Sequence, residues 1–156
     1  LEGKSLWIAR SLPVSSWQIL KAKLGLHLLF TCVPALICSI CFCIALGIDA
    51  VASAAVIIIP QIYTLLCAVS GLRVNLRMPN LNWSNESVAV KQSLGVLLAM
   101  FIGWAYAIVL VALYMLSVQL LPSALAPIIP TVFLAVTAAI SVAKLKRKGL
   151  KRFEAL

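Results

Sequence analysis

Charged and apolar residues are sharply separated along this chain. All 13 Lys and Arg residues lie in three short stretches, 4–23, 73–91 and 144–152. The two blocks between them, 24–72 and 92–143, contain neither residue type. Each block is about twice as long as the ~20 residues that one membrane-spanning helix needs. Each therefore predicts a pair of spanning helices that crosses the bilayer and returns to the side from which it started.

Polar residues and prolines predict where each block turns. Asp49 lies two residues after Gly47 and is the only Lys, Arg, Asp or Glu of the first block. A carboxylate at the bilayer centre is costly, so we expect Asp49 to lie in an outside turn. In the second block, Gln119 and Pro122 mark the turn, because proline favours the first position of a new helix. The predicted spans are 24–47, 51–72, 93–118 and 123–143.

The three basic stretches predict the orientation, because loops rich in Lys and Arg stay in the cytoplasm. The predicted fold is all-α: a polytopic membrane protein with four transmembrane helices in two hairpins and both termini cytoplasmic. The predicted segments are a cytoplasmic interfacial segment (1–23), the first hairpin (24–72), a cytoplasmic loop (73–92), the second hairpin (93–143) and a basic cytoplasmic tail (144–156).

Composition agrees with a membrane protein and argues against a nucleic-acid partner. Hydrophobic residues make up 63% of the chain and its mean hydropathy is +1.11, too apolar for a soluble domain. The net charge of +9 is placed at the ends of apolar blocks, where it anchors helices against an anionic inner leaflet. The partner indicated is the lipid bilayer. Because the chain begins with Leu1 rather than Met, we expect it to be part of a longer polypeptide.

The predicted spans offer little catalytic or metal-binding chemistry. They contain no Lys, Arg, Asp or Glu, and the only histidine is His27, near the inner end of the first span. Ion-coupled carriers and intramembrane hydrolases generally need buried ionisable groups. The Cys38-x-x-Cys41-x-Cys43 motif resembles a metal or redox motif, but its apolar mid-span setting favours small packing residues. We expect no enzyme activity, metal or cofactor in this chain.

The first cytoplasmic segment mixes charged and apolar side chains. Pro13 ends any preceding helix, and Ser15 or Ser16 can cap the next one. That helix places Trp17 and Leu20 on one face, and tryptophan is enriched at membrane interfaces. We therefore expect a helix that lies on the membrane surface and then bends into the bilayer.

The same segment carries a recognisable motif: Glu2-Gly3-Lys4, then Trp7, then Arg10-Ser11-Leu12-Pro13-Val14-Ser15. It resembles a stretch in a family of bacterial ATP-binding cassette (ABC) transporter permeases. Members carry Glu-Gly-Lys, then Trp, then Lys-Ser-Leu-Pro-Ile-Ser ahead of a span. Arg10 replaces the usual Lys and Val14 the usual Ile.

The predicted loop between the hairpins carries a second motif. The stretch from Pro79 to Ser93 includes Trp83, Asn85 and Glu86 and ends in Val-Lys-Gln-Ser. It is similar to the same family's Pro-x-(Leu/Phe)-x-Trp-x-Asn-Glu and Val-Lys-Gln-Ser pattern. Asn82 stands where the family has Asp.

The resemblance implies the C-terminal portion of an exporter-type ABC permease in the bacterial plasma membrane. No Gly-x-x-x-x-Gly-Lys-Ser/Thr phosphate loop is present, so a separate ATPase subunit would bind ATP and supply the energy. The other implied partner is the rest of the permease or a second permease half. The residues expected to contact the ATPase are Glu2, Lys4, Trp7, Arg10, Leu12 and Pro13. Trp83, Asn85 and Glu86 are the candidate contacts of the cytoplasmic loop.

The residues also permit plainer interpretations. The first segment could be an ordinary interfacial anchor, and the loop could only support the entry of the third span into the bilayer. A second hypothesis for the whole chain is a small, non-enzymatic membrane scaffold or assembly protein that acts without ATP.

Overall fold

The computed structural model describes residues 13–78, 94–122, 125–149 and 153. Within them the chain forms four α-helices and no strand: α1 (Ser16–Leu46), α2 (Ala50–Arg77), α3 (Leu94–Leu120) and α4 (Ile128–Lys144), followed by a π-helical turn (Leu145–Gly149). All four are long and apolar enough to cross a membrane, the fourth when counted with its π-helical turn. The predicted all-α fold with four spanning helices is confirmed. The side of the membrane that each end faces stays a prediction.

Helix α1 begins at a capping box formed by Ser15 and Gln18. The Gln18 backbone N–H donates to Ser15 Oγ (3.4 Å), and the Ser15 N–H donates to Gln18 Oε1 (2.8 Å). From this cap, 31 residues run to Leu46 as one continuous helix. The helix thus has no break between residues 16 and 46, and a surface location of its first turns stays a prediction. No proline interrupts the stretch from the cap to the first span, so the helix continues directly.

The turn predicted at Asp49 is confirmed. Gly47 ends α1 with φ 58° and ψ 38°, a left-handed conformation that glycine adopts without steric cost. Asp49 then caps α2, because its carboxylate accepts a hydrogen bond from the Ala52 N–H at 3.3 Å.

The second turn places the start of α4 at Ile128, five positions later than the sequence predicts. The N–H groups of Leu125 and Ala126 donate to the Pro122 carbonyl oxygen, at 2.9 and 3.2 Å. The Ser117 hydroxyl lies 2.7 Å from the Ala126 carbonyl oxygen and ties this turn back to α3. These contacts hold the chain in a turn where the sequence pattern predicts a helix.

Pro34, Pro60, Pro127 and Pro130 lie inside the spans that the sequence predicts, and a proline inside a helix is expected to kink it. For Pro127 and Pro130 this expectation is wrong. Pro127 is the N-cap of α4 and Pro130 lies in its first turn. At these positions a missing N–H removes no intrahelical hydrogen bond, so neither proline kinks the helix. Pro34 and Pro60 do lie inside α1 and α2.

Helix α2 is the centre of the arrangement, because it packs against α1, α3 and α4. Two apolar clusters join it to its neighbours. The first, called the basic-end cluster, consists of Leu20, Val69, Leu76, Leu145 and Phe153. The second, called the mid-span cluster, consists of Leu66, Leu134 and Ala138. We call the end of the bundle that contains Arg77 and Lys144 the basic end, and the opposite end the Asp49 end.

Small residues at 50–55 and 135–141 are expected to face other helices, because small side chains let helix backbones approach closely in lipid. In α4 this expectation is confirmed only in part. Ala138 and Ser141 of α4 are buried, whereas Ala135 and Ala139 are exposed on the outer surface. One face of α4 therefore packs against the bundle, and the opposite face is open to lipid.

Candidate functional site

Nearly all of the predicted contact residues lie outside the described part of the chain: Glu2, Lys4, Trp7, Arg10, Leu12, Trp83, Asn85 and Glu86. Their roles stay predictions. Pro13 is described, and it is exposed just before the Ser15 cap of α1. The points where the chain enters and leaves these two segments are described too. Pro13, Met78 and Leu94 all adjoin the basic end of the bundle, so both segments are attached to the same end.

The first turns of α1 are firmly held at this end. Leu20 is only 1% exposed and packs in the basic-end cluster, with Trp17 against its edge. The Lys23 ammonium also lies 5.6 Å from the centroid of the Phe153 ring, within cation–π range. Trp17 is thus half-buried against protein, although the sequence suggests only a membrane-interface role. A displacement of the segment before Pro13 would reach α2 and α4 through these contacts.

A cavity of about 620 Å³ lies between α1, α2 and α3 near the basic end. Its polar lining comes from Lys23 and His27 on α1 and from Asn75 on α2. Small residues on the facing helices, Gly71 and Gly95 among them, leave the space open. We call it the inner cavity.

A second cavity, of about 760 Å³, lies at the Asp49 end between α2, α3 and α4. Asp49 and Tyr114 provide polar groups, and Ala52, Ile59 and Pro60 are among the remaining lining residues. We call it the outer cavity. Each cavity has the volume of a small-molecule site, which is roughly 300–1,000 Å³.

A barrier of packed side chains separates the two cavities. Along α2 the outer cavity reaches Pro60 and the inner cavity reaches Cys67, and these residues are about 10 Å apart along a helix. Leu66 and Leu134, both fully buried, pack together in the mid-span cluster, and Leu66 lies on α2 between these two positions. The Tyr63 hydroxyl donates a hydrogen bond to the Gly103 carbonyl oxygen at 3.0 Å and joins α2 to α3 at this level.

A polar contact joins α1 and α2 at the same level, beside Pro34 and Pro60. When the Gln61 amide is oriented so that both bonds are made, it donates to the Cys32 carbonyl oxygen at 3.3 Å and accepts from the Leu36 N–H at 3.2 Å. Both backbone groups belong to the turn of α1 that contains Pro34. The carbonyl that loses its intrahelical partner at Pro34 is that of Phe30, so the Gln61 contact is a polar link between the two helices beside the proline.

The cysteines divide between the lipid-facing surface and the helix contacts. Cys38 and Cys41 are exposed, so they do not pack between helices as the sequence suggests. Cys32 is half-buried, and its Sγ lies 3.1 Å from the Thr64 hydroxyl on α2. No group of three or more His, Cys, Asp or Glu among the described residues could hold a metal ion.

Sequence reasoning missed Tyr63, Asn75 and Tyr114, which line or divide the cavities. Their signal in the sequence is weak, because isolated Tyr and Asn residues are common near helix ends and in interhelical contacts. Gln61 has a clearer signal: an amide directly after a proline at mid-span.

Comparison with protein-family models, curated proteins and solved structures finds no match for this chain.

Proposed function

We propose that this chain is the membrane-spanning permease portion of an ABC transporter of the bacterial plasma membrane, driven by a separate ATPase subunit. The observation that carries the proposal is the pair of cavities at opposite ends of α2, divided by a barrier of about 10 Å. Transporters that work by alternating access expose a central region first to one side and then to the other. Two cavities that end at one short barrier suit such a motion.

The barrier is suited to opening. It contains apolar side chains and the Tyr63–Gly103 hydrogen bond, and no described Lys, Arg, Asp or Glu lies within it. Separating it therefore exposes no buried charge. The mostly apolar cavity linings favour a substrate with a large apolar part, such as a lipid or a hydrophobic peptide.

The resemblance of the two cytoplasmic segments to ABC permease motifs supports the choice of energy source. In this proposal Trp7 and Leu12 fill an apolar groove on the ATPase, and Lys4 and Arg10 pair with acidic residues on its rim. Trp83, Asn85 and Glu86 add a second contact from the loop. Motion of the ATPase would reach the bundle through Pro13 and the first turns of α1, where Leu20 packs into the basic-end cluster.

The test is Trp7→Ala in the tagged full-length protein, purified from membranes with the subunits that accompany it. We expect loss of a soluble subunit that carries a phosphate-loop ATPase motif, with the membrane protein itself retained. The matched control is Trp104→Ala, because Trp104 is 59% exposed on the outer surface of α3. It should keep the ATPase. Co-purification unchanged by Trp7→Ala would refute the assigned role of Trp7.

The alternative is a membrane scaffold or assembly protein. It is favoured by the position of the ionisable cavity residues, because Lys23, His27 and Asp49 all lie towards the ends of the spans. The same purification separates the two hypotheses. Repeated recovery without any ATPase, from membranes shown to contain one, would favour the scaffold.

A further inference from the structure

Four basic side chains from two helices line one small pocket at the basic end. Arg73 and Arg77 come from the last turns of α2, Lys144 ends α4, and Lys148 lies in the π-helical turn. The pocket has a volume of about 20 Å³, and Leu76 and Gly149 complete its lining. Leu76 and Gly149 are buried, so the pocket is set against a packed part of the protein.

The spacing of these cations is unfavourable unless an anion is present. Arg73 and Arg77 are one helical turn apart on α2, and Lys144 and Lys148 are separated similarly along the chain. Like charges at this spacing destabilise a helix. Asp49 is the only carboxylate among the described residues, and it lies at the opposite end of the bundle. A bound anion would relieve the repulsion within both pairs at once.

Local backbone structure brings the second pair close to the first. Gly149 is buried beside Leu76 of α2: a Cβ there would lie 3.4 Å from Leu76 Cδ1, an ordinary van der Waals distance. The same Cβ would lie 2.8 Å from Leu145 Cδ1 within the turn, so a larger residue would require the Leu145 side chain to shift. The turn from Leu145 to Gly149 is also π-helical, a geometry frequent at functional sites. Both features place Lys148 beside the arginines of α2.

We propose that this pocket binds one phosphate group, carried by an anionic lipid headgroup or by a soluble phosphate compound. Two arginines supply planar guanidinium groups that bind phosphate oxygens in pairs, and two lysines add positive charge. A volume of about 20 Å³ accommodates a single phosphate oxygen, since one water needs roughly 10–15 Å³. The pocket lies where two spanning helices end, the level at which lipid phosphates are found. Basic pockets between transmembrane helices bind such headgroups.

The test measures lipid binding to the full-length protein in detergent by native mass spectrometry. Phosphatidylglycerol and phosphatidylcholine are titrated against wild type, Arg77→Gln/Lys148→Gln and Lys146→Gln/Arg147→Gln. The two double variants lose the same charge from neighbouring, exposed positions, but Lys146 and Arg147 do not line the pocket. For Arg77→Gln/Lys148→Gln, called the pocket variant, we expect roughly tenfold weaker binding of phosphatidylglycerol, because it loses one or two charge-assisted hydrogen bonds. The control variant should bind as wild type does.

A second probe, inorganic phosphate, identifies the source of the group. Thermal stabilisation of wild type by phosphate that the pocket variant loses, with lipid binding unchanged, would support the site and assign it to a soluble phosphate. The charge-conserving variant Arg77→Lys/Lys148→Arg should keep most of the binding, which shows that the fold is intact. Equal loss in both double variants would mean general attraction to an anionic membrane and would overturn the proposal. Absence of binding by both probes would overturn it as well.

Discussion

The two ends of the bundle are held together in different ways. At the basic end, side chains from α1, α2 and the π-helical turn meet in the basic-end cluster, where Leu20, Val69 and Leu145 are almost fully buried. At the Asp49 end, the outer cavity of about 760 Å³ separates the helices, and the turns are fixed by hydrogen bonds close to the helix ends. In one of those bonds the Ala52 N–H donates to the Asp49 carboxylate, and in another the Ser117 hydroxyl donates to the Ala126 carbonyl oxygen.

The different packing of the two ends indicates which of them can move. Packed apolar contacts between several helices must separate together, whereas a turn fixed by its own hydrogen bonds can move as a unit with the helices it joins. In the proposed transporter, the basic end, to which the two motif-bearing segments are attached, would receive a displacement from the ATPase. The Asp49 end would then change the distances between its helices.

The largest expected effect concerns the orientation of the chain in the membrane. Each cysteine variant is either labelled in intact cells or not labelled. Ala50 and Met78 lie at opposite ends of α2, and both are exposed. In a variant without the five native cysteines, a membrane-impermeant maleimide should label Ala50→Cys in intact cells. Met78→Cys should react only after the membranes are opened, because positive loops stay in the cytoplasm. The reverse labelling pattern would contradict the assignment of the basic end to the cytoplasm.

The next effect concerns the packing of the basic end. Leu20→Ala should lower the free energy of unfolding by about 2–4 kcal/mol, because it leaves a cavity where α1 meets α2 and the π-helical turn. The measurement is reversible unfolding in mixed micelles with increasing SDS. Leu26→Ala is the matched control on the same helix, since Leu26 is 60% exposed, and it should change stability little. Equal losses in the two variants would show that the basic-end cluster is not a special source of stability.

The smallest effect concerns the barrier between the two cavities. Tyr63→Phe removes the hydrogen bond to the Gly103 carbonyl oxygen and should cost about 0.6 kcal/mol, the average for such bonds between transmembrane helices. Tyr106→Phe is the control, because Tyr106 packs in the same region and its hydroxyl bonds to no described residue. If transport is reconstituted, Tyr63→Phe should raise the leak of substrate without ATP. A leak equal in both variants would argue against a gating contact at Tyr63.

Much of the fold follows from the sequence because charge and turn residues mark the helix ends directly. The separation of Lys and Arg into three stretches locates two hairpins, and Asp49 locates the first turn with its cap. The start of α4 does not follow, because it depends on a contact between Ser117 and Ala126 across the second turn. Helix propensity depends on each residue and its neighbours in the chain, so it cannot indicate this contact.

The candidate site follows less well. The cavities arise from the way small residues on three helices leave space, and the sequence indicates small residues without indicating which of them face each other. Gly71 and Gly95 line the inner cavity, whereas Ala135 and Ala139 face outwards. The basic pocket could not be predicted from the sequence either. Arg73 and Lys148 are far apart in the chain, and the packing of α2 against α4 and its π-helical turn brings them to one pocket.

The contact of Gln61 with the turn around Pro34 also bears on how the protein enters the membrane. In an α1 that reached the lipid alone, the Cys32 carbonyl and the Leu36 N–H would still bond to each other, as groups four residues apart do in an α-helix. An α2 that entered without α1 would carry the Gln61 amide into hydrocarbon without a partner, at a cost of several kcal/mol. Delivering the two helices from the ribosome-bound translocon as a pair avoids this penalty. The short connection through Gly47 and Asp49 makes that paired release possible.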